Sequence, residues 1–203
     1  MDKTPKPKEV ALVRQETVYQ GFFRLDRYHL RHALHEGGWS REISREIFER
    51  GHAVALLPYD PVRDEVVLIE QFRAGAYACG RDPWLIEIVA GMVESDETPQ
   101  EVARRETREE ADCQVSALEM ITDYLVSPGG TSESVALFCG QVDAAKAGGI
   151  HGHDHEDEDI RVFALPFGEA YEMVGSGKIA NSAAVIALLW LALNRERLRR
   201  EWL

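Results

Sequence analysis

Glu106 and Glu110 stand one helical turn apart, with Glu109 beside them, in the segment GMVESDETPQEVARRETREEADC from Gly91 to Cys113. Carboxylates at that spacing share a helix face, and their repulsion opposes the helix by roughly a few tenths of a kcal/mol. Arg105 and Arg108 relieve part of it, so the charges alone admit a solvated helix laced with ion pairs. They also admit a divalent-cation site, since Mg²⁺ is held by one or two carboxylates with waters and substrate phosphate oxygens, although the solvated helix is the commoner reading of such a segment alone. A second acidic segment, HGHDHEDED, carries Glu156 and Glu158 beside the alternating His151, His153 and His155. By composition it is a solvated loop, although imidazoles in that pattern suit Zn²⁺ or Ni²⁺.

The first segment contains its own positioning signals. Thr98-Pro99-Gln100-Glu101 reads as a helix start, with Thr98 as N-cap, Pro99 in the first turn and Glu101 completing a capping box. Ala103, Thr107 and Ala111 then give a narrow face of small side chains suited to close packing on a sheet. Before it, WLIEIVAG reads as a strand, and HAVALLPYD and VVLIEQFR, separated by a turn at DPVRDE, read as a hairpin. The stretches AGAYACGRDP and AKAGGIHGHDHEDED read as loops. ALEMITDYLVS, SVALFCGQV and IRVFALP are further strands, and FGEAYEMVGSGK and SAAVIALLWLALNRERLRREW have helical spacing. Strands first, one helix among them and helices last favour an α+β fold or a mixed-sheet sandwich over a doubly wound parallel sheet.

Composition narrows the function classes. The chain has 203 residues, of which 45% are hydrophobic, enough for a sizeable core. A formal net charge of -12 argues against nucleic acid or an anionic membrane surface as partner. A phosphate-bearing substrate therefore needs local counter-charge. Cys79, Cys113 and Cys139 have no CxxC spacing, and their odd number gives no complete disulfide framework. No apolar run reaches membrane-spanning length, and MDKTPKPKEV lacks a signal-peptide core. The expectation is a soluble, cytoplasmic protein.

The first segment resembles the Nudix box: Gly, five residues, Glu, seven residues, then Arg-Glu-apolar-x-Glu-Glu-x-Gly-apolar. Gly91, Glu97, Arg105, Glu106, Glu109, Glu110 and Cys113 fall in register. Thr107 stands at an apolar position, and Asp112 replaces the Gly that ends the helix. Asp tolerates the left-handed conformation, at a cost of order ~1 kcal/mol. Pro128 in SPGGTSE, together with YQGFF, REIFERGHAVALLPYDPVRDEVVLIEQFR, GIHG, EDEDIRV and GKIANSAAVIALLWL, extends the resemblance to the bacterial ADP-ribose pyrophosphatase branch over nearly the whole chain.

This resemblance implies an α+β Nudix fold, a mixed β-sheet sandwiched between helices. A small N-terminal β domain (residues 1–50), exchanged across a homodimer, would precede a catalytic domain (residues 51–203). It implies hydrolysis of ADP-ribose to AMP and ribose 5-phosphate with about two or three Mg²⁺ ions per site, or Mn²⁺. Glu106, Glu110, Glu158 and the Ala90 carbonyl match metal-contacting positions, and Glu109 an auxiliary one. Glu97 and Arg105 would pair structurally. Glu156 matches the base position, with Glu158 the alternative. Arg45 and Arg73 match substrate-contacting arginines, Phe22 an adenine-stacking aromatic, and Met92 and Glu133 pocket lining. Taken singly, each arginine reads as a surface ion-pair partner, and Phe22 is equally a core residue.

The rival readings are a Nudix hydrolase of another nucleoside diphosphate sugar such as GDP-mannose, a non-catalytic ADP-ribose-binding regulator, and a metal-storage protein. The regulator would be favoured by lost box carboxylates, and none is lost. The storage reading rests on the His-rich loop alone.

Overall fold

The computed structural model describes residues 9–94, 96–152 and 158–203. It divides into two compact units, Met1–His52 with Leu125–Ser134, and Ala53–Tyr124 with Val135–Leu203.

The first unit is a three-stranded antiparallel sheet of β1 (Val10–Gln20), β2 (Arg24–His32) and β3 (Ile43–Glu49), in that order. Alternating polar and apolar residues build it, but few side chains are buried. At its centre lies Asp26, 1% exposed. Its carboxylate accepts from Thr17 Oγ1 at 2.7 Å, Gln15 Nε2 at 3.0 Å and Arg24 Nε at 3.0 Å. Those bonds, that to Thr17 foremost, hold its pKa below the usual Asp value. Segment Leu125–Ser134 is tied to β3: Phe48 N–H donates to Gly130 O, and Thr131 Oγ1 donates to Phe48 O.

The second unit is built on a mixed sheet. Its strands are β4 (Ala53–Asp60), β5 (Glu65–Phe72), β6 (Trp84–Glu87), β7 (Val89–Met92), β8 (Leu118–Leu125), β9 (Ser134–Gln141), β10 (Gly148–His151) and β11 (Ile160–Pro166). The main path runs β10-β11-β5-β4-β9-β8, and β4 and β9 are parallel. The expected hairpin is β4–β5. Its turn is closed by the buried Asp60 carboxylate, which accepts from the N–H groups of Val62 and Arg63. Beyond Tyr59–Val66 and Asp60–Glu65 the two strands part. β6 then pairs with β5, and β7 pairs with β4. WLIEIVAG, expected as one strand, is therefore two short strands separated at Ile88.

The helices are α1 (Ala74–Ala78), α2 (Pro99–Ala111), α3 (Phe167–Gly175) and α4 (Ser182–Glu201). Alternation along β4 and β5 sends Val54, Leu56, Val67 and Ile69 toward α2, against Val102, Ala103 and Ala111. Ala55, Leu57, Tyr59, Val66 and Leu68 pack with α3 and α4, against Phe167, Ala170, Ala184, Leu188 and Leu191. Burial on both faces explains why these strands are nearly continuous apolar runs. The architecture is α+β. Two segments expected as loops carry regular structure. AGAYACGRDP contains the single-turn α1, and AKAGGIHGHDHEDED holds the end of a 3₁₀ turn (Ala144–Lys146) and β10, which exists through pairing with β11 despite its glycines. Among the described residues, no helix is long and apolar enough to cross a membrane.

Candidate active site

Helix α2 begins as its sequence requires. Thr98 Oγ1 accepts from Glu101 N–H, and the Glu101 carboxylate accepts from Thr98 N–H at 2.8 Å. It ends at Asp112, whose φ of 48° and ψ of 33° place it in the left-handed region. Ala103, Thr107 and Ala111 are buried against the sheet. Thr107 removes the cost of its hydroxyl by donating to Ala103 O at 2.6 Å. With that face fixed, Glu106 and Glu110 are directed to β7.

Glu110 is 5% exposed and accepts from Ala90 N–H at 3.1 Å. Burial pushes its pKa up to about 8. The Ala90 bond and the charge of Arg73 oppose the rise, while the charges of Glu106 and Glu158 add to it. Because the N–H and C=O of an extended residue point to the same side, the Ala90 carbonyl also faces away from β4. Glu106 lies over Gly91, where a Cβ would fall 1.9 Å from its Oε1. Only glycine leaves room for that carboxylate. Its pKa is raised too, by burial first and then by Glu109 and Glu158, against Arg105.

Arg105 holds the rim together. Its Nε and Nη2 donate to the two oxygens of Glu97 at 2.9 and 3.0 Å, and Nη1 donates to Glu106 at 2.9 Å and Glu109 at 3.0 Å. The structural pairing of Glu97 with Arg105 is present, and it keeps Glu97 below the usual Glu value. Arg73, just after β5, donates from Nε to Glu87 Oε2 at 2.8 Å, and its Nη2 forms an ion pair with the same oxygen at 2.7 Å.

Thus Ala90, Glu106, Glu109, Glu110, Glu158 and Arg73 form one electrostatically connected group in the second unit. Met92, at the end of β7, is 40% exposed. Phe22, Arg45 and Glu133 belong to the first unit. Phe22 is 89% exposed at the β1–β2 tip, edge-on to Phe23 at 4.7 Å, so it is not a core residue. Arg45 on β3 donates to Ser44 O, and Glu133 is buried 3.6 Å from Arg50. Glu156, His153 and His155 lie outside the described residues. His151 Nε2 is 2.8 Å from Gly148 O.

Among the described residues, no three His, Cys, Asp or Glu side chains close a metal cage. The buried Glu110 carboxylate, the half-buried Glu106 carboxylate and an outward-facing carbonyl are an oxygen-only partial donor set. That fits a hard divalent cation that keeps waters and takes its remaining ligands from a phosphate. Sequence reasoning missed Glu87, 3% exposed, and its second partner Asn181. The available signal was an acidic residue inside the apolar run WLIEIVA, since a buried charge needs a partner.

Comparison with known proteins agrees with this geometry. The NUDIX domain family model matches residues 49–179. An ADP-ribose pyrophosphatase of Escherichia coli (strain K12) is 53% identical over 96% of this chain and 93% of its own length. A GDP-mannose pyrophosphatase of Cronobacter sakazakii is 35% identical over 91% of this chain and 95% of its own. A crystal structure described as an ADP compounds hydrolase shares the fold, with a TM-score of 0.70 at 19% identity, covering 95% of this chain and 96% of that one. With the carboxylates of α2 in register and relatives matched over nearly its whole length, the chain belongs to the Nudix hydrolase family and is similar to its bacterial ADP-ribose pyrophosphatases.

Proposed function

We propose that the protein hydrolyses the pyrophosphate bond of ADP-ribose, giving AMP and ribose 5-phosphate, with Mg²⁺ as cofactor. The observation that carries this reading is the pair of carboxylates on one face of α2, the half-buried Glu106 and the buried Glu110, set against Gly91 and Ala90. The name shared by relatives above half identity supports the substrate. Glu106, Glu110, Glu158 and the Ala90 carbonyl would hold Mg²⁺, about two or three ions, which would supply counter-charge for the pyrophosphate and acidify a water. Mn²⁺ would be the alternative ion.

The chain's own groups bind, orient and accept a proton. Arg73 presents its remaining guanidinium donors to the phosphates. Arg105 keeps Glu109 and Glu106 on the rim. A carboxylate of the acidic loop, Glu156 with Glu158 as the alternative, takes the proton from the attacking water, and Glu109 assists. Phe22 stacks on adenine, a role supported by its exposure. Arg45 contributes charge, and Met92 and Glu133 line the pocket. The active form is a homodimer. The apolar side chains that β1 leaves exposed, Val10, Leu12 and Val13, support this. The setting is cytoplasmic, consistent with three free cysteines.

The experiment is phosphate release coupled to alkaline phosphatase over a panel of nucleotide sugars and dinucleotides. ADP-ribose should give the highest kcat/KM, strictly dependent on divalent cation. The relative named for GDP-mannose favours a second reading, hydrolysis of another nucleoside diphosphate sugar. Preference for such a sugar would replace the substrate, and no turnover on any pyrophosphate would sink the proposal.

A further inference from the structure

The second unit contains a buried carboxylate that the chemistry above does not use. Glu87 is on β6, 3% exposed, and each of its oxygens is engaged. Oε2 accepts from Arg73 Nε at 2.8 Å and lies 2.7 Å from Nη2 as an ion pair, and Oε1 accepts from Asn181 Nδ2 at 2.8 Å. Asn181 is also the N-cap of α4, its Oδ1 accepting from Ala184 N–H at 3.3 Å. Its amide is therefore fixed at both ends, and the α4 terminus, Glu87 and Arg73 form one chain of hydrogen bonds.

We infer that Glu87 and Asn181 are positioning residues that aim Arg73 at the substrate phosphates and keep it off the metal-binding carboxylates. Arg73 is close enough for its charge to act on Glu110, yet its ion pair is with Glu87. An arginine that paired directly with Glu110 would compete with a divalent cation for the same oxygens. Charge-assisted bonds to a buried acceptor are strong, and removing one partner of a buried pair is costly. Glu87 therefore retains the guanidinium through Nε and Nη2. The Nη1 donors remain for a phosphate oxygen, already oriented before substrate arrives. Asn181 ties down the oxygen that Arg73 does not use, so Glu87 cannot rotate to follow Arg73.

The inference rests on the reading of Arg73 as a phosphate-facing group, and a double-mutant cycle separates the two. Glu87→Gln should raise KM for ADP-ribose about tenfold with kcat changed less than about threefold, and should raise the Mg²⁺ concentration giving half-maximal rate several-fold. In an Arg73→Ala background the same substitution should change neither quantity further, because Glu87 acts through Arg73. Asn181→Ser keeps a competent N-cap and loses the link, so it should shift KM and the Mg²⁺ midpoint in the same directions by a smaller factor. It decides the matter if Glu87→Gln does not fold. Unshifted KM and Mg²⁺ midpoint in a folded Glu87→Gln, or a full effect persisting without Arg73, would overturn the positioning role. Unchanged KM in Arg73→Ala alone would instead overturn the reading of Arg73.

Discussion

Replacing Gly91 with alanine should disable the site while leaving the fold intact. A Cβ there falls 1.9 Å from Glu106 Oε1, 2.1 Å from its Cδ and 2.5 Å from its Cγ. Ordinary contact begins near 3.4 Å, so the carboxylate must retreat by about 1.5 Å. Metal–ligand distances tolerate only about 0.2 Å, so Glu106 ceases to be a ligand. Loss of one charged ligand should lower turnover roughly a hundredfold, about 2.7 kcal/mol of barrier. The displaced atoms are the far end of a flexible side chain, and moving them costs about 0.5–1.5 kcal/mol. Gly91 is not among the glycines with positive φ, so alanine meets no backbone strain there. It also stabilises by about 0.4–1 kcal/mol through the unfolded chain. The net change in Tm should stay within about 4 °C. Initial rates over a Mg²⁺ series, beside a thermal melt, provide the assay. Wild-type rates at limiting Mg²⁺ would refute the placement of Glu106, and an unfolded variant would refute the claim that only a side-chain tip is displaced.

Other variants probe the helix end, the first unit and substrate selectivity. Asp112→Gly should raise Tm by about 2–4 °C, since it relieves a left-handed Asp and removes a negative charge from a helix C-terminus; an unchanged or lower Tm counts against strain at that cap. The folded-state pKa of Asp26 is depressed, so its contribution is complete above the ordinary Asp value and is lost as pH falls through the lower folded value. Thermal melts from about pH 5 to about pH 2 should therefore show a steeper loss for wild type than for Asp26→Asn, and parallel curves would remove Asp26 from the account. Phe22→Ala should weaken ADP-ribose binding by about 1–3 kcal/mol while sparing a substrate without adenine. Equal losses on both substrates would contradict stacking.

Local signals were the most legible part of the sequence. The capping box at Thr98, the small face of Ala103, Thr107 and Ala111, and the left-handed Asp112 each follow from neighbouring residues, and each is realised in α2. Glu106 and Glu110 were readable for the same reason, being one turn apart on an element with clear ends. What was not legible depends on partners distant in sequence. β10 forms because β11 offers an edge, against the preference of its glycines. WLIEIVAG breaks at Ile88 because β4 and β5 diverge and claim its two halves separately. Glu87 looked like an interruption of an apolar run, and only the fold brings it to Asn181, 94 positions away. For Phe22 the sequence left core burial and surface exposure equally open, and the hairpin tip decides for exposure.

The most direct measurement is the initial rate of ADP-ribose hydrolysis against Mg²⁺ concentration for the wild-type protein, Glu106→Gln and Glu110→Gln, with AMP and ribose 5-phosphate quantified by chromatography. No turnover in chelator, a saturable rise with Mg²⁺, and variants slowed roughly a hundredfold or more at limiting Mg²⁺ are the predicted results. Undiminished hydrolysis in chelator, or most of the wild-type rate in both variants at limiting Mg²⁺, would contradict a divalent-cation site on α2.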